Sequence, residues 1–581
     1  MAIRACLEKV LKIIGKRSRG KKLENNQRIL IWSFFGFMVF LNYQAWMLTT
    51  NGEYSYADDQ TISLDQVPKD FTVGAGDSLL ESSDIPTQQE IEALSITLDD
   101  EVTSQDNLVS IKTDVFDILI DKKGATLQQI KLISYPKSKD RPDEAVELIG
   151  SSSDNFGLIQ SGLRSPDQDS EPNHLANYET KSSIYELTDS GELIVPFYWE
   201  DGSGLKVVKR FRFNDGSYRV TIEHTVENET NRIWRGAQYS QLVRRINQDE
   251  RSMFDVESFS FDGPVIYDGE KSDKLNSSDL ADEGAYSFNA KNGWLGAIQH
   301  HFVSAIIPNA NEEYKYQVNA DQAKTISSFI GPLSSINTGE RRTFSQDVFI
   351  GPKLQSQMEE ISPSLKLTVD YGFLTILSDP LFWLLSLIYS FVNNWGFSII
   401  LTTLAIKLLF YKLTEKSGKS MAKMRVLAPR LKSIQERYKD NRTELGKATM
   451  ELYKREKVNP AAGCMPMLIQ MPFFLAFYWV LLESVEMRQA PFVFWLTDLS
   501  SKDPYFVLPL IMAGAMFFQT KLNPAPADPM QAKVMQIMPL MFSVMFAFFP
   551  SGLVLYWVTN TILSIFQQWL INKKYGATGS K

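Results

Sequence analysis

One lysine, Lys407, occupies an apolar segment that begins near Trp395 and is long enough to enter a membrane. A charged side chain at bilayer depth costs at least ~2.5–3.5 kcal/mol, so such residues normally face a bundle interior or a water-filled cavity. Thr403 precedes Lys407 by four residues and therefore shares its helix face. Because no Asp or Glu lies well inside this segment or the last two apolar segments, we expect Lys407 to line an aqueous groove and to attract anionic groups.

The other apolar segments of the second half also carry polar residues, which suits a shared polar interior. The predicted groove lining consists of Thr402, Thr403, Gln470, Gln519, Ser543, Thr559 and Asn560. The structural alternative is that these residues hold the helices together, since a hydrogen bond between membrane helices stabilises a bundle by ~0.6 kcal/mol.

Enzymatic chemistry has little support in the residue types. All four histidines, His174, His224, His300 and His301, precede the apolar half, which excludes zinc and serine–histidine catalysis inside the membrane. Adjacent His300 and His301 should point to opposite faces of a strand, a poor arrangement for a metal site. We predict a protein that is not an enzyme, with no catalytic residues, metal or cofactor. A transporter would show internal repeats and paired charges, and a sugar-active outer domain rests on fold analogy alone.

The composition divides the 581 residues into a polar, acidic first half and a second half dominated by Leu, Ile, Phe, Met and Trp from about residue 365 onward. This division predicts a soluble part and a membrane part. Cys6 and Cys464 both lie outside the polar half, so no disulfide framework supports a domain there.

The N-terminus has the charge pattern of a membrane anchor. Residues 1–28 form a basic tail with nine Lys/Arg and two Glu, and residues 29–48 follow without a charge, enough to span ~30 Å as a helix. A signal peptide is the alternative, but its apolar core would be shorter and would precede a cleavage site. The basic flank predicts a cytoplasmic N-terminus. Residues 49–106 are expected to form an acidic flexible linker on the outer side.

Five further spans are predicted at residues 395–413, 463–485, 505–522, 534–549 and 551–571. Residues 412–457 carry 14 Lys/Arg against six Asp/Glu, so the positive-inside rule assigns them to the cytoplasm. Residues 365–394 are interpreted as an amphipathic helix on the outer surface, because an extra span there would invert everything after it. The loops 486–504 and 523–533 then fall outside and inside, and the basic tail 572–581 falls inside.

The outer part, residues 107–355, has the pattern of antiparallel strands. Apolar and polar residues alternate in VSIKTDVFDILID, LKVVKRFRFNDGSYRVTIEHTVE and RRTFSQDVFIG, and turn signals such as NDG and DGSG occur beside and within them. This pattern predicts an all-β sandwich. The expected fold is therefore a membrane α-helical bundle of six transmembrane helices, five of them forming its core, plus an outer all-β domain.

The cytoplasmic segment, residues 414–462, predicts a helical hairpin with an apolar seam and a basic exterior. The basic residues Lys423, Arg425, Arg430, Lys432 and Arg437 form a candidate docking surface. Anionic partners such as ribosomal RNA or anionic lipid headgroups would suit it. Charge alone does not separate these two partners, and a merely solvated face is the alternative.

Long motifs resemble one family of membrane proteins. NWGFSIILTT, SMAKMRVLAPRLKSIQERY, LYKREKVNPAAGCMPMLIQMPFFLAFYWVLLESV and DPMQAKVMQIMPLMFSVMFAFFPSGLVLYW are similar to the YidC, oxidase-assembly and Albino insertase family. The match covers the anchor, the linker and outer domain, and nearly all of residues 365–571. The large outer domain resembles the Gram-negative branch, whose periplasmic domain is a β-supersandwich.

The resemblance implies an insertase and chaperone of the bacterial inner membrane that uses a charged groove open to the cytoplasm and to lipid. It implies contacts between a substrate helix and Tyr556, Trp557, Met471 and Phe474. The implied partners are nascent membrane proteins, the Sec translocon and its accessory proteins, the ribosome and the phospholipid bilayer. Lys407 stands where the family usually has Arg, so the charge is kept but the planar five-donor fork is lost.

Overall fold

The computed structural model describes residues 107–575 except 140, 151–155, 167–170, 189–190, 247–260, 321–323, 439–440, 457, 459–464 and 523–528. The predicted basic tail 1–28, first span 29–48 and linker 49–106 lie outside the described residues, as do residues 576–581. The described chain forms a β domain, residues 108–352, followed by a helical domain, residues 355–575.

The β domain contains nineteen strands within the described residues. They are β1 Leu108–Lys112, β2 Phe116–Asp121, β3 Thr126–Ser138, β4 Arg141–Ile149, β5 Gly157–Arg164, β6 Ile184–Glu186, β7 Glu192–Glu200, β8 Leu205–Asn214, β9 Arg219–Asn228, β10 Trp234–Arg245, β11 Asp262–Tyr267, β12 Ser272–Lys274, β13 Tyr286–Lys291, β14 Trp294–Gln299, β15 Phe302–Pro308, β16 Glu313–Ala320, β17 Lys324–Ile330, β18 Ser334–Ile336 and β19 Arg341–Pro352.

Two sheets pack together to form this domain. The larger, 11-stranded sheet has the order β13-β16-β17-β10-β5-β3-β2-β1-β6, with β18 beside β10 and β4 beside β3. The 8-stranded sheet has the order β12-β11-β14-β15-β19-β9-β8-β7. Side chains from both sheets meet in one hydrophobic core. The predicted all-β domain followed by a helical region is confirmed.

Strand β8 illustrates how the sequence specifies this packing. Every second residue, namely Leu205, Val207, Lys209, Phe211 and Phe213, is buried, and the residues between them are half-exposed. Side chains alternate between the two faces of a strand, so this pattern turns one face of β8 toward the second sheet. Lys209 differs from the other buried residues of β8, which are apolar, because it is a charged residue at a core position.

Lys209 is accommodated by backbone acceptors. Its Nζ donates to the Gly124 and Ser161 carbonyl oxygens at 2.8 and 2.9 Å. Burial lowers the pKa of Lys209 to about 7, because the charged form loses its hydration. Its cross-strand partner His224 is also fully buried, so this part of the core holds two basic groups that resist protonation.

The buried histidines predict an acid-sensitive β domain. Burial lowers the pKa of His174 and His300 to about 4, and it holds the pKa of His224 and His301 well below the ordinary 6.5. The unfolded chain therefore binds protons that the folded chain excludes. Stability is fully present above pH 6.5 and falls as the pH drops toward the folded pKa, by ~1.4 kcal/mol per pH unit for each histidine.

The variant His224→Leu isolates one of these contributions. Between pH 6.5 and 4.5, we expect the free energy of unfolding of this variant to fall less steeply with decreasing pH than that of the wild type. The difference between the two slopes should be ~1.4 kcal/mol per pH unit, as measured by urea titrations. Thr343→Val, on the neighbouring strand β19, changes no titrating group and should retain the wild-type slope. Equal slopes for all three proteins would contradict the prediction.

The predicted placement of His300 and His301 on opposite faces of a strand is wrong. The two residues form the turn between β14 and β15, and their rings stack with centroids 3.7 Å apart. His300 has a positive φ of 45°. A two-residue turn removes both residues from the strand ladder, so alternation between faces no longer applies to them.

The helical domain follows the last strand. The α-helices of the described residues are α1 Ser277–Glu283, inserted in the β domain, and then α2 Gln355–Ile361, α3 Thr375–Val392, α4 Trp395–Leu409, α5 Tyr411–Arg437, α6 Arg442–Arg455, α7 Met465–Glu483, α8 Val507–Leu522, α9 Pro529–Phe546 and α10 Ser551–Tyr575. Short 3-10 turns occupy Pro363–Thr368, Gly372–Leu374 and Val485–Met487.

The helix after Trp395 ends earlier than residue 413, where the sequence placed the end of the span. Helix α4 stops at Leu409, and the chain bends by 67° into α5. The break lies at Phe410, whose ring packs on Phe473 of α7 with centroids 5.1 Å apart. The basic hairpin begins beyond this bend, with α5.

Among the described helices, α3 is the one that is long and apolar enough to cross a membrane. Helix α4 together with the first part of α5 also meets this criterion if the bent pair is counted as a single span. Shorter apolar helices occur at Gln470–Glu483, Val507–Leu522 and Ile537–Phe546. Helix α3 packs against α4 and α7, yet large apolar side chains on it, including Ile376, Trp383 and Phe391, remain exposed.

Candidate functional site: a polar cluster around Lys407

Three helices bring polar side chains together around Lys407. Its Nζ on α4 donates to Ser564 Oγ on α10 at 2.7 Å and lies 3.5 Å from Gln470 Oε1 on α7. Gln470 Nε2 in turn donates to Asn560 Oδ1 on α10. Helix α10 supplies two of these residues because Asn560 and Ser564 are four apart and share a face.

The charge of Lys407 is not balanced by a carboxylate within the described part of the chain. Each of its described hydrogen-bond partners is a neutral oxygen, and no described Asp or Glu forms an ion pair with it. Lys407 is half-buried. The cluster can therefore accept an external carboxylate as the missing counter-charge, without first breaking an internal ion pair.

The sequence predicted three of these four residues. Lys407, Gln470 and Asn560 belong to the predicted groove, whereas Ser564 was noted only as one of the polar residues of the last span. The available signal was its spacing, since it lies one helical turn beyond Asn560 on an apolar helix.

The other predicted lining residues form no hydrogen bond to Lys407 within the described part of the chain. Thr403 Oγ1 donates to the Ile399 carbonyl oxygen at 2.7 Å, and Ser543 Oγ donates to the Pro539 carbonyl oxygen at 2.8 Å. Each hydroxyl thus donates to a backbone carbonyl oxygen of its own helix, four residues earlier in the chain. Thr402 is fully buried and its Oγ1 has no partner among the described residues. Thr559 is buried on α10, and Gln519 is half-buried on α8. Neither residue forms a described hydrogen bond with Lys407.

Aromatic residues pack beside the polar cluster. The Phe474 ring meets Trp557 edge-on with centroids 4.5 Å apart. Tyr556 is buried and packs on Phe477 with centroids 4.7 Å apart. Of the four predicted substrate contacts, Phe474 and Trp557 are half-buried, as is Met471, so these three are more accessible to another molecule than Tyr556.

The helical hairpin of α5 and α6 exposes several of its basic residues. Lys423, Lys432 and Arg437 on α5 are exposed. Arg430 Nη1 forms an exposed ion pair with Glu456 at 2.8 Å, which ties α5 to the end of α6. Arg425 lies on the same helix α5. Exposed pairs of this kind contribute ~0–1 kcal/mol to stability, so the Arg430–Glu456 pair adds little to the stability of the hairpin.

A buried ion pair joins the β domain to the helical domain, a feature that sequence reasoning missed. Lys353 directly follows β19, and its Nζ lies 2.9 Å from Glu483 Oε2 at the end of α7. His300 Nε2 donates to the Leu482 carbonyl oxygen at 3.3 Å. Arg488 Nη2 donates to the Pro136 carbonyl oxygen at 2.9 Å. We call these contacts the junction; it fixes the C-terminal end of α7 against the β domain.

Family comparisons cover both domains. The family described as 60Kd inner membrane protein matches residues 387–578, and the YidC periplasmic domain matches residues 108–384. The protein named membrane protein insertase YidC of Methylococcus capsulatus is 43% identical over 520 residues, covering 88% of this chain and 94% of the relative. Its namesake from Nitrosococcus oceani is 40% identical over 559 residues, covering 95% of this chain and 100% of the relative.

A crystal structure described as an active YidC insertase with its first transmembrane domain resolved is also similar, with a TM-score of 0.38 and 18% identity over 79% of this chain and 92% of that chain.

The two matched regions define an inner-membrane protein with a periplasmic β domain. The identities above, over most of both chains, show that this chain belongs to the YidC family. The assignment to the Gram-negative branch, made from the large outer domain, is confirmed by the match to the YidC periplasmic domain and by these relatives. A family of insertases also agrees with the prediction that the chain is not an enzyme.

Proposed function

We propose that this chain inserts nascent membrane proteins into the bacterial inner membrane and assists their folding. The observation that supports this most directly is the half-buried Lys407, whose described partners are neutral oxygens on two neighbouring helices of the bundle, α7 and α10. Such a cation has the chemistry to attract a short acidic segment of a substrate from water into the bundle.

The substrate's apolar segment would follow a different route from its polar tail. The accessible aromatic surface of Phe474 and Trp557, with Met471 on the same helix as Phe474, suits packing against an apolar helix. Large apolar side chains on α4 and α8, such as Leu408, Leu409 and Leu510, are exposed and suit contact with lipid. The tail would thus stay beside Lys407 while the apolar segment moves outward into the bilayer.

The proposed topology has six spans, of which the last five form the insertase core, and both termini in the cytoplasm. The net positive charge of residues 412–457 supports this orientation. Helix α3 is proposed to lie at the outer membrane surface, which its exposed row of Ile376, Trp383 and Phe391 suits.

The proposed partners beyond substrates are the Sec translocon with its accessory proteins, the ribosome and the bilayer. The exposed basic residues of α5 support an anionic cytoplasmic partner. We expect the triple variant Lys423→Ala, Lys432→Ala, Arg437→Ala to reduce ribosome binding. The dependence of the logarithm of the binding constant on the logarithm of salt concentration should become less steep, corresponding to the loss of about two to three ionic contacts. Co-sedimentation over a salt series measures this, and anionic vesicles in place of ribosomes test the lipid alternative. Unchanged binding to both would contradict a docking role.

Reconstitution tests the insertase function itself. The purified chain is placed in liposomes of phosphatidylethanolamine and phosphatidylglycerol, and a single-span substrate with a short acidic outer tail is synthesised beside them. Protease protection of the tail measures insertion, with empty liposomes as the control. Equal protection in empty liposomes and in proteoliposomes would refute the proposed function.

A further inference from the structure

Gln567 on α10 is a buried amide without a hydrogen-bond partner among the described residues. Its side chain is 7% exposed, and neither Nε2 nor Oε1 meets a donor or acceptor there. A buried amide without partners is unfavourable because it has given up its hydration. Such a group indicates that something beyond the described residues supplies its partner.

The position of Gln567 links it to the Lys407 cluster. Ser564, Gln567 and Ile571 follow each other at helical spacing and share one face of α10. Ser564 Oγ accepts a hydrogen bond from Lys407 Nζ. Ile571 packs closely on Gly418 of α5, since a Cβ added at Gly418 would lie 2.9 Å from Ile571 Cδ1. On α10, Gln567 therefore lies between Ser564 of the charged cluster and Ile571, which contacts α5.

The chemistry of Gln567 differs from that of Lys407. An amide offers one acceptor oxygen and an NH₂ donor, which is the pattern that complements a peptide group. It carries no charge, so it does not distinguish an acidic tail from a neutral one. The neighbouring Gln568 has a different role, since its Nε2 donates to the Leu522 carbonyl oxygen at 3.3 Å.

We propose that Gln567 binds the peptide backbone of the substrate's polar segment, one helical turn to the cytoplasmic side of Lys407. The ligand class is an extended polypeptide, recognised through its main-chain N–H and C=O groups whatever its charge. This rests on the proposed insertase function. Lys407 would select acidic tails, and Gln567 would hold any tail that passes.

The variants Gln567→Leu and Gln568→Leu test this with the same chemical change at adjacent positions. Insertion into proteoliposomes is measured for two substrates that share an apolar segment but carry an acidic or a neutral tail. We expect Gln567→Leu to slow both about fivefold to tenfold. Its Tm should stay equal or rise, because leucine removes an unsatisfied amide without losing a bond. Gln568→Leu should lower the Tm and keep normal insertion.

Three results would overturn the inference while leaving the insertase function in place. Normal insertion by Gln567→Leu would show that the amide does not touch the substrate. A lowered Tm together with slower insertion would assign it a structural role, such as binding a fixed water. Slower insertion of the acidic-tailed substrate alone would mean that it acts through Lys407. If the wild-type chain inserts neither substrate, the proposed function fails first, and this inference fails with it.

Discussion

Replacing Lys353 by alanine is expected to lower the free energy of unfolding by about 3–5 kcal/mol. The side chains of Lys353 and Glu483 are 1% and 10% exposed, and their charged atoms lie 2.9 Å apart. Without the ammonium group, the Glu483 carboxylate stays buried with an uncompensated charge. Chemical denaturation of the purified chain in detergent measures the loss.

An exposed ion pair supplies the matched control for this experiment. Lys366 and Glu359 lie 3.3 Å apart, with side chains about half exposed, so Lys366→Ala should cost no more than ~1 kcal/mol. The double variant Lys353→Met, Glu483→Leu removes both buried charges and should recover most of the stability. Equal effects of the two single alanine variants would show that the junction does not depend on its ion pair.

Insertion of an acidic-tailed substrate is expected to fall about tenfold or more in Lys407→Ala. Opposite charges ~4 Å apart attract by about 4 kcal/mol at an effective dielectric constant of 20, and about a third of that energy corresponds to a tenfold change in rate. Lys407→Glu should insert still less because it repels the tail. Lys407→Arg should insert nearly as well as the wild type, because the charge is kept.

The control variant is Lys412→Ala, which removes an exposed lysine just beyond the α4–α5 break. It should insert normally, and a substrate with a neutral tail should be much less sensitive to the charge at residue 407. If alanine, glutamate and arginine at this position all support equal insertion, the charge is incidental. The driving force would then lie in the apolar surface of Phe474 and Trp557 and its contact with lipid.

The histidine turn shows where local pattern stopped being informative. Alternation along VVKRFRF correctly predicted a strand, because burial of one face repeats every second residue. The same rule failed at His300 and His301, because the chain reverses there within two residues. The alternation of buried and exposed residues predicts side-chain direction only where the chain forms a regular strand, and the turn at His300 and His301 interrupts the strand.

The sequence by itself determined the β domain, the helical domain, the basic hairpin and the candidate role of Lys407. These features follow from composition, from charge and from periods of two or about four residues, all of which are local. The tertiary structure decided which side chains meet. Ser564 bonds Lys407 from 157 residues away, and Lys353 pairs with Glu483 across 130 residues. Hydrogen bonds and buried ion pairs act over about 3 Å, so only the packing of distant helices and strands selects these partners.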